Sequence, residues 1–461
     1  MTAQRHSARW LLGLVLVLPA ACSPGPAQTP HPAATLVQVD GRRLQERGAS
    51  VTPLLLPDPS GLPDLALTGA FQEKQYQAAL YHRPLHGNGQ RTLARLHPLT
   101  YTWSGKVDPE GHLWLIWTAY ESDTPMLQMK ESPDGGRTWS RPETIYYGSH
   151  TSPLRIEEDS LLFGPRGERY VLVRRRLGKV EDFQFRILRW RPEAAHWKEA
   201  GRVPGSEDLS TYDDFAFAVS PAGHLAVSYI SYDGDLRIFQ SADQGESWVD
   251  LGRPRRPRVP GFRLPLSGWQ AMVRERMPAL RWTGKGWGLL WDQHVSIPNG
   301  GDRFREYSDT LFALYDAARQ RWMGSVYLSD RRTIITRTMS LAAEMGNSGT
   351  QRMRELLHEG RPTALRYAAL AVSSSGVLAA LWRELRGDWL TVAISLSRDG
   401  GRTWSQSTPV EAAEQGDLQR FSAYFTGDGK RLFCIYSQWP GESTDKIMGG
   451  LAVEMVEMDV S

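Results

Sequence analysis

The chain has 461 residues, 43 of them glycine and 29 proline, with 41% apolar and 23% charged, which supplies a large buried core and excludes a collagen-like or low-complexity polymer. Its 54 basic residues nearly match its 51 acidic ones, leaving a formal net charge of +3 with no basic block able to track a phosphate backbone, so nucleic acid is excluded as a partner. Two cysteines, Cys22 and Cys434, exclude a disulfide framework and a thiolate metal cluster.

In chain order, Arg5 and Arg9 precede an apolar run from Trp10 to Ala21, broken by Gly13 and Pro19 and too short for a permanent bilayer span. It reads as a secretory signal. Leu18-Pro19-Ala20-Ala21-Cys22 ends in small residues before a cysteine and resembles a bacterial lipoprotein signal, in which the cysteine becomes the lipidated first residue. That resemblance implies export to the cell envelope, with Cys22 as the lipidation site and the lipid as the only membrane contact. Pro19 stands where the lipoprotein pattern has leucine, so cleavage without lipid is the alternative. Residues 23–34 carry Pro24, Pro26, Pro30 and Pro32 and no large apolar side chain, the composition of an extended tether. The expected organisation is a signal over 1–22, a tether over 23–34 and a single domain over 35–461.

A turn glycine leading into an apolar, aromatic-rich run recurs at Gly111, Gly167, Gly223, Gly286, Gly376 and Gly429. Most intervals are roughly fifty to sixty residues, the length of four short strands and their turns, and so of one propeller blade. Several runs are apolar at consecutive positions and rich in Val, Leu, Trp and Tyr, as expected for strands covered on both faces. The prediction is an all-β fold of six such units.

Three units carry a second signal: Ser132-Pro-Asp134-Gly-Gly136-Arg-Thr138-Trp139, Ser241-Ala-Asp243-Gln-Gly245-Glu-Ser247-Trp248 and Ser397-Arg-Asp399-Gly-Gly401-Arg-Thr403-Trp404. A short carboxylate can accept from the N–H groups of its own turn, a glycine two residues on can take positive φ, and the indole can cover neighbouring strands. These segments are Asp-boxes, and through them the chain resembles the sialidase-like superfamily of Asp-box β-propellers. Weaker versions occur at Trp197 and at Asp316 with Trp322. In the family the Asp-box is structural and lies away from the catalytic face, so Asp134, Gly136, Trp139, Asp243, Gly245, Trp248, Asp399, Gly401 and Trp404 are assigned to the fold and not to chemistry.

The resemblance implies a six-bladed β-propeller. A seventh blade within residues 50–100 is the alternative. A strand from the segment Thr35–Leu44 is expected to complete the last blade, which would leave no exposed sheet edge. An insertion at about 330–362 has helical character from Thr338 to Glu359 and is either a lid over the central funnel or a surface decoration.

In a propeller the first strand of every blade lines the axis, so residues at strand entrances converge on one funnel. Counting back from each repeat glycine gives Tyr101, Glu157, Asp213, Arg276, Arg366 and Gln419 with Arg420. Arginines grouped on one side suit a carboxylate, and the implied ligand is an acidic small molecule or glycan.

Sialidases hold the substrate carboxylate with three arginines, use a tyrosine activated by a glutamate as nucleophile and an aspartate as acid/base. Arg276-Met277-Pro278 resembles the family's Arg-Ile-Pro motif. The resemblance implies Tyr212 as nucleophile, Glu158 as its partner and Asp302 as acid/base, with Arg276, Arg366, Arg420, Arg174 and Asp213 binding substrate. Neighbouring anions make the choice of tyrosine intelligible, since a phenol neutral at rest is less repelled by a carboxylate than another carboxylate would be. In the family the Arg-Ile-Pro strand comes first and the tyrosine strand last, whereas here Arg276 follows Glu158, Arg174 and Tyr212. The implied activity is that of an exo-α-sialidase, and a non-catalytic carbohydrate- or protein-binding propeller is the alternative. No cofactor is required, a structural calcium ion stays open, and a monomer is expected. His82 and His86 are separated by Pro84, which argues against a helix aligning them as metal ligands.

Overall fold

The structure is a computed structural model and describes residues 44–46, 54–57, 63–72, 75–83, 91–95, 103–148, 154–156, 158–177, 182–208, 215–231, 235–255, 272–298, 303–329, 334–338, 368–386, 389–410, 416–440 and 451–460. All belong to the compact unit Ala34–Ser461. Among them there is no α-helix, only two short 3-10 turns at Glu158–Ser160 and Ser206–Asp208, and everything else regular is antiparallel strand. No helix among the described residues is long and apolar enough to cross a membrane.

The strands form seven antiparallel sheets among the described residues. The first contains Leu54–Pro57, Pro63–Gln72, Gln75–Arg83 and Arg91–Arg95, and the second Trp103–Val107, Leu113–Glu121, Thr124–Ser132 and Glu143–Tyr147. In the third, the first strand is split into Leu154–Arg155 and Leu161–Phe163, followed by Arg169–Leu177, Asp182–Trp190 and Trp197–Arg202. The fourth holds Phe215–Val219, Leu225–Ile230, Leu236–Ser241 and Val249–Asp250. The fifth is built on Met272–Trp282, Gly286–Pro298 and Arg303–Asp316, with the short outer strands Arg321–Trp322, Val326–Tyr327 and Ile334–Thr338. The sixth has Ala368–Val372, Leu378–Arg386, Trp389–Ser397 and Thr408–Val410. The seventh joins Gly416–Phe425, Arg431–Pro440 and Leu451–Asp459 to Leu44–Glu46, which pairs with the last strand through Leu44↔Val453 and Glu46↔Leu451.

Six glycine-led units were expected, and residues 54–95 add a further sheet, in the segment where the alternative placed one. Its second strand opens with Pro63 and Asp64, which dilute the apolar signal that marks the other units. The repeat glycine of the fifth sheet also shifts. Gly284, with φ +83°, is the turn residue, whereas Gly286 begins the next strand with its Cα so close to Tyr315 that an added Cβ would lie 1.7 Å from the Tyr315 carbonyl oxygen. Within the expected insertion, Ile334–Thr338 is strand, paired with Arg303–Tyr307. The remainder of that insertion, 330–333 and 339–362, lies outside the described residues.

Consecutive apolar positions follow from burial on both faces. In the second sheet Leu113, Leu115 and Trp117 face one way, while Trp114 and Ile116 pack with Leu154, Leu161, Val171 and Val173 of the third. Tyr170 and Phe185 of the third sheet pack with Phe217 and Tyr229 of the fourth. The opposite face of the fourth, through Ile238, meets Trp287 and Trp291 of the fifth. Leu290 and Phe312 then meet Trp382 and Trp404 of the sixth, and Leu381 and Ile394 meet Leu432 and Cys434 of the seventh. Each such large side chain contributes about 1.5–3 kcal/mol when fully buried. The chain thus stacks its sheets in sequence order, and the first strand of each packs against the first strand of the next. The link from Glu46 in the seventh sheet to Leu54 in the first is short, at about 3.5 Å per residue reaching no more than roughly 28 Å.

Candidate functional site

Antiparallel order within each sheet puts the turn after the first strand and the turn after the third on one edge, and the connections between sheets on the other. The three Asp-containing turns follow third strands and therefore share the hairpin edge. In the first, Thr138 N and Arg137 N donate to Asp134 Oδ1 at 2.7 and 2.9 Å, the Thr138 hydroxyl donates to Oδ2 at 2.7 Å, and Gly136 N donates to Ser132 Oγ at 2.7 Å. Ser247 N and its hydroxyl bond Asp243 in the same way, as Thr403 N and its hydroxyl bond Asp399. The hydrogen bonds donated by Thr138 hold Asp134 well below the usual carboxylate range. At Asp243 burial opposes ionisation, but the two bonds from Ser247 outweigh it and bring the pKa to about 2. These carboxylates are ionised and engaged by their own turns, so they are poor proton donors. Asp316 differs: it accepts from Arg319 N and from the Arg319 guanidinium.

Several predicted site residues fall where the first strand of a sheet loses regular pairing. Arg276 is the last residue in register, opposite Asp292, before a shift to Ala279↔Leu290. The bulge contains Met277 and Pro278, and a proline has no N–H to give the ladder. Arg420 is the unpaired residue between Gln419↔Ser437 and Phe421↔Tyr436. Glu158 opens the 3-10 turn that separates Leu154–Arg155 from Leu161–Phe163. β-Bulges re-aim side chains and recur beside functional sites. Arg174 lies one strand further out, opposite Arg155 and Phe185, and is 4% exposed. Tyr212, Asp213, Asp302, Arg366 and Cys22 lie outside the described residues, as do Tyr101 and Glu157.

Opposite Arg276 the fifth sheet carries a buried polar row. Asp292, 2% exposed, accepts from the Thr310 hydroxyl at 2.7 Å, and Thr310 is its register partner on the third strand. On the other face Gln293 pairs in register with Glu275 and Asp309.

Sequence reasoning missed a charged cluster contributed by three sheets. Lys106 and Arg281 sit near the hairpin ends of the first strands of the second and fifth sheets, and Asp159 belongs to the 3-10 turn of the third. Arg281 Nη1 and Nη2 lie 3.3 Å from the Asp159 carboxylate oxygens, and Lys106 Nζ lies 3.8 Å from Oδ1. Burial works against the charged form of Asp159, but Arg281 and Lys106 prevail and lower its pKa. No spacing rule connects these three positions, because they meet only through the packing of first strands.

Two peripheral groups complete the inventory. The Tyr146 hydroxyl, on the outer strand of the second sheet, donates to Glu199 Oε2 at 3.2 Å on the outer strand of the third and accepts from Arg175 at 3.4 Å on the second strand of the third. Burial and Glu199 raise its pKa, so this tyrosine is a poorer nucleophile than a free phenol. Among the described residues, Asp108, Glu110 and His112 bring possible ligand atoms within 4.8 Å of one another. Both Asp108 oxygens are already engaged, by Glu110 N and His112 N on one side and Trp114 Nε1 on the other, which fits a hairpin cap rather than a cation cage.

No family model matches the chain, and no curated protein matches it. Among solved structures, an ulvan lyase of a polysaccharide lyase family is 10% identical with a TM-score of 0.49, over 90% of this chain and 96% of that one. The Penicillium chrysogenum α-L-arabinanase complexed with arabinobiose is 11% identical with a TM-score of 0.41, over 85% and 98%. The Trypanosoma rangeli sialidase in complex with the inhibitor DANA is 11% identical with a TM-score of 0.42, over 91% of this chain and 60% of that one.

Proposed function

We propose that the chain is an exported Asp-box β-propeller, each sheet a blade, that binds an acidic glycan where the first strands meet and releases a terminal sialic acid with retention. One observation carries the reading: Glu158, taken from the family resemblance, Arg276, from repeat phase and motif, and Arg420, from repeat phase, each fall at a break in the first strand of a different sheet. Regular strands alternate side chains between their two packed faces, so a residue directed along the sheet edge into a hollow needs such a break.

In this reading Arg276, Arg366 and Arg420 hold the substrate carboxylate, each guanidinium supplying a planar fork of donors. Tyr212 attacks the anomeric carbon after giving its proton to Glu158, and Asp302 protonates the leaving oxygen and then activates water. No cofactor takes part. Cys22 carries the lipid that tethers a monomer to the cell envelope through the proline-rich segment.

A second reading, a non-catalytic glycan-binding module, is favoured by the order of the motifs, since Arg276 follows Glu158 and Tyr212 in the chain. Release of sialic acid from a fluorogenic α-sialoside by the purified protein separates the two. Turnover abolished by Arg276→Ala and by Tyr212→Phe is the expected result. Absence of turnover with retained binding to a sialoside array selects the second reading, and turnover untouched by both substitutions removes the site assignment.

A further inference from the structure

Lys130, on the third strand of the second sheet, is 8% exposed. It stands in register opposite Leu115, on the face of that sheet shared by Leu113 and Trp117. Its ammonium lies 4.7 Å from the centroid of the Trp139 ring and 5.7 Å from that of Trp117. Among the described residues nothing accepts a hydrogen bond from it or pairs with its charge, and burial moves its pKa downward from 10.5 with no carboxylate opposing the shift. The indole nitrogens of both rings are themselves buried and without an acceptor. An ammonium carries three donors and no acceptor, and an indole nitrogen is a donor only. Donors from three side chains are thus gathered here with nothing to receive them.

The other two Asp-containing turns show what packing alone requires. Two residues before the serine that opens the turn, where the second sheet has Lys130, the fourth has Phe239 and the sixth Ser395. Trp248 Nε1 also lacks an acceptor, but Phe239 beside it buries no charge. In the sixth sheet Ser395 donates to the Ser405 carbonyl at 2.7 Å, and Trp404 Nε1 to that of Gly401 at 3.2 Å. An apolar or internally satisfied side chain meets the structural need, and the lysine adds a charge beyond it.

We propose that Lys130, Trp117 and Trp139 form a binding site for one monovalent anion of chloride size, beneath the turn that Trp139 closes. A buried ammonium is costly unless an opposite charge and acceptors accompany it, and a single bound anion supplies both. Its one negative charge matches the one cation. Aromatic walls favour a weakly hydrated halide over fluoride, which holds its water tightly, and the slight exposure of Lys130 admits a small ion rather than a segment of polymer. The ion would fasten the turn to the strands beneath it. This goes beyond the glycan reading and does not rest on it, since it concerns the hairpin edge of the sheets and holds for a protein without turnover.

Thermal unfolding of the full-length protein tests the proposal. The wild-type Tm is expected to rise saturably, by a few degrees, as sodium bromide replaces sodium fluoride at constant ionic strength. Lys130→Met fills the same space without the charge and is expected to lack the saturable rise. In fluoride it is expected to be the more stable of the two proteins, with saturating bromide narrowing the gap. Trp139→Phe keeps a ring and removes one donor, and its half-saturation is expected at a several-fold higher bromide concentration. The chloride NMR line gives a readout independent of unfolding: wild-type protein is expected to broaden it, and bromide to sharpen it again by displacement, with Lys130→Met inert. An equal bromide response in wild type and Lys130→Met overturns the proposal. So does the absence of any response in the wild type, which would leave water as the occupant, or a half-saturation that Trp139→Phe does not move.

Discussion

The Trp404 indole meets the Phe312 ring edge to face, with centroids 4.9 Å apart and planes inclined at 65°. Trp404 closes the Asp399 turn of the sixth sheet and Phe312 belongs to the third strand of the fifth. The turn that saturates an aspartate locally thus also joins two sheets, and the glycine that makes the turn possible lies against the same ring.

Gly401 has φ +91°, and a Cβ added there would lie 2.2 Å from Phe312 Cε1. Gly401→Ala is expected to lose about 2–4 kcal/mol, from left-handed backbone strain and overpacking together. Gly111 has a similar φ of +90° with nothing within 4 Å of its added Cβ, so Gly111→Ala is expected to lose only about 1 kcal/mol. Urea unfolding of both variants measures the difference, and equal losses would remove the steric contribution of Phe312.

The Asp243 turn predicts an acid-sensitive term. With its folded pKa lowered to about 2, Asp243 stabilises the protein above the unfolded value of about 3.9, and this stabilisation disappears as pH falls through the folded value. Asp243→Asn is expected to be less stable than the wild type at neutral pH, with the two converging between about pH 4 and pH 2. Thermal unfolding of both proteins across that window reads the convergence.

Lys130 is 8% exposed, with its ammonium 4.7 Å from the Trp139 ring centroid and 5.7 Å from that of Trp117. Burial lowers its pKa from 10.5, so the folded state carries a cost for the charge at neutral pH that the cation–π contacts offset only in part. Lys130→Met fills the same space without charge and is expected to raise stability by about 1 kcal/mol. The gain is expected to shrink as pH rises through the lowered folded value toward 10.5, where the lysine is neutral in both states.

Cys434 is fully buried and is the free cysteine of the described residues. Burial alone pushes its thiol far above the ordinary value, and a thiolate is the reactive form. The native protein is expected to leave Cys434 unmodified by a disulfide reagent at pH 8, with one equivalent reacting on unfolding in guanidinium chloride. Rapid modification of the native thiol would contradict this burial.

The sequence by itself determined what depends on neighbours along the chain. Ser132, Asp134, Gly136 and Thr138 satisfy one another within a single turn, and the two-faced runs such as Leu113–Trp117 declare burial on both sides wherever the sheets are placed. The first sheet escaped because Pro63 and Asp64 weaken the same local signal. Tertiary structure alone decided that Lys106, Asp159 and Arg281 meet and that Arg276 stands opposite a buried Asp292, and it set the register of the expected N-terminal strand, pairing Leu44–Glu46 with the final strand. Local hydrogen bonding is fixed by covalent spacing, whereas contacts between distant segments follow from how whole sheets bury their faces, and no short window of sequence contains that information.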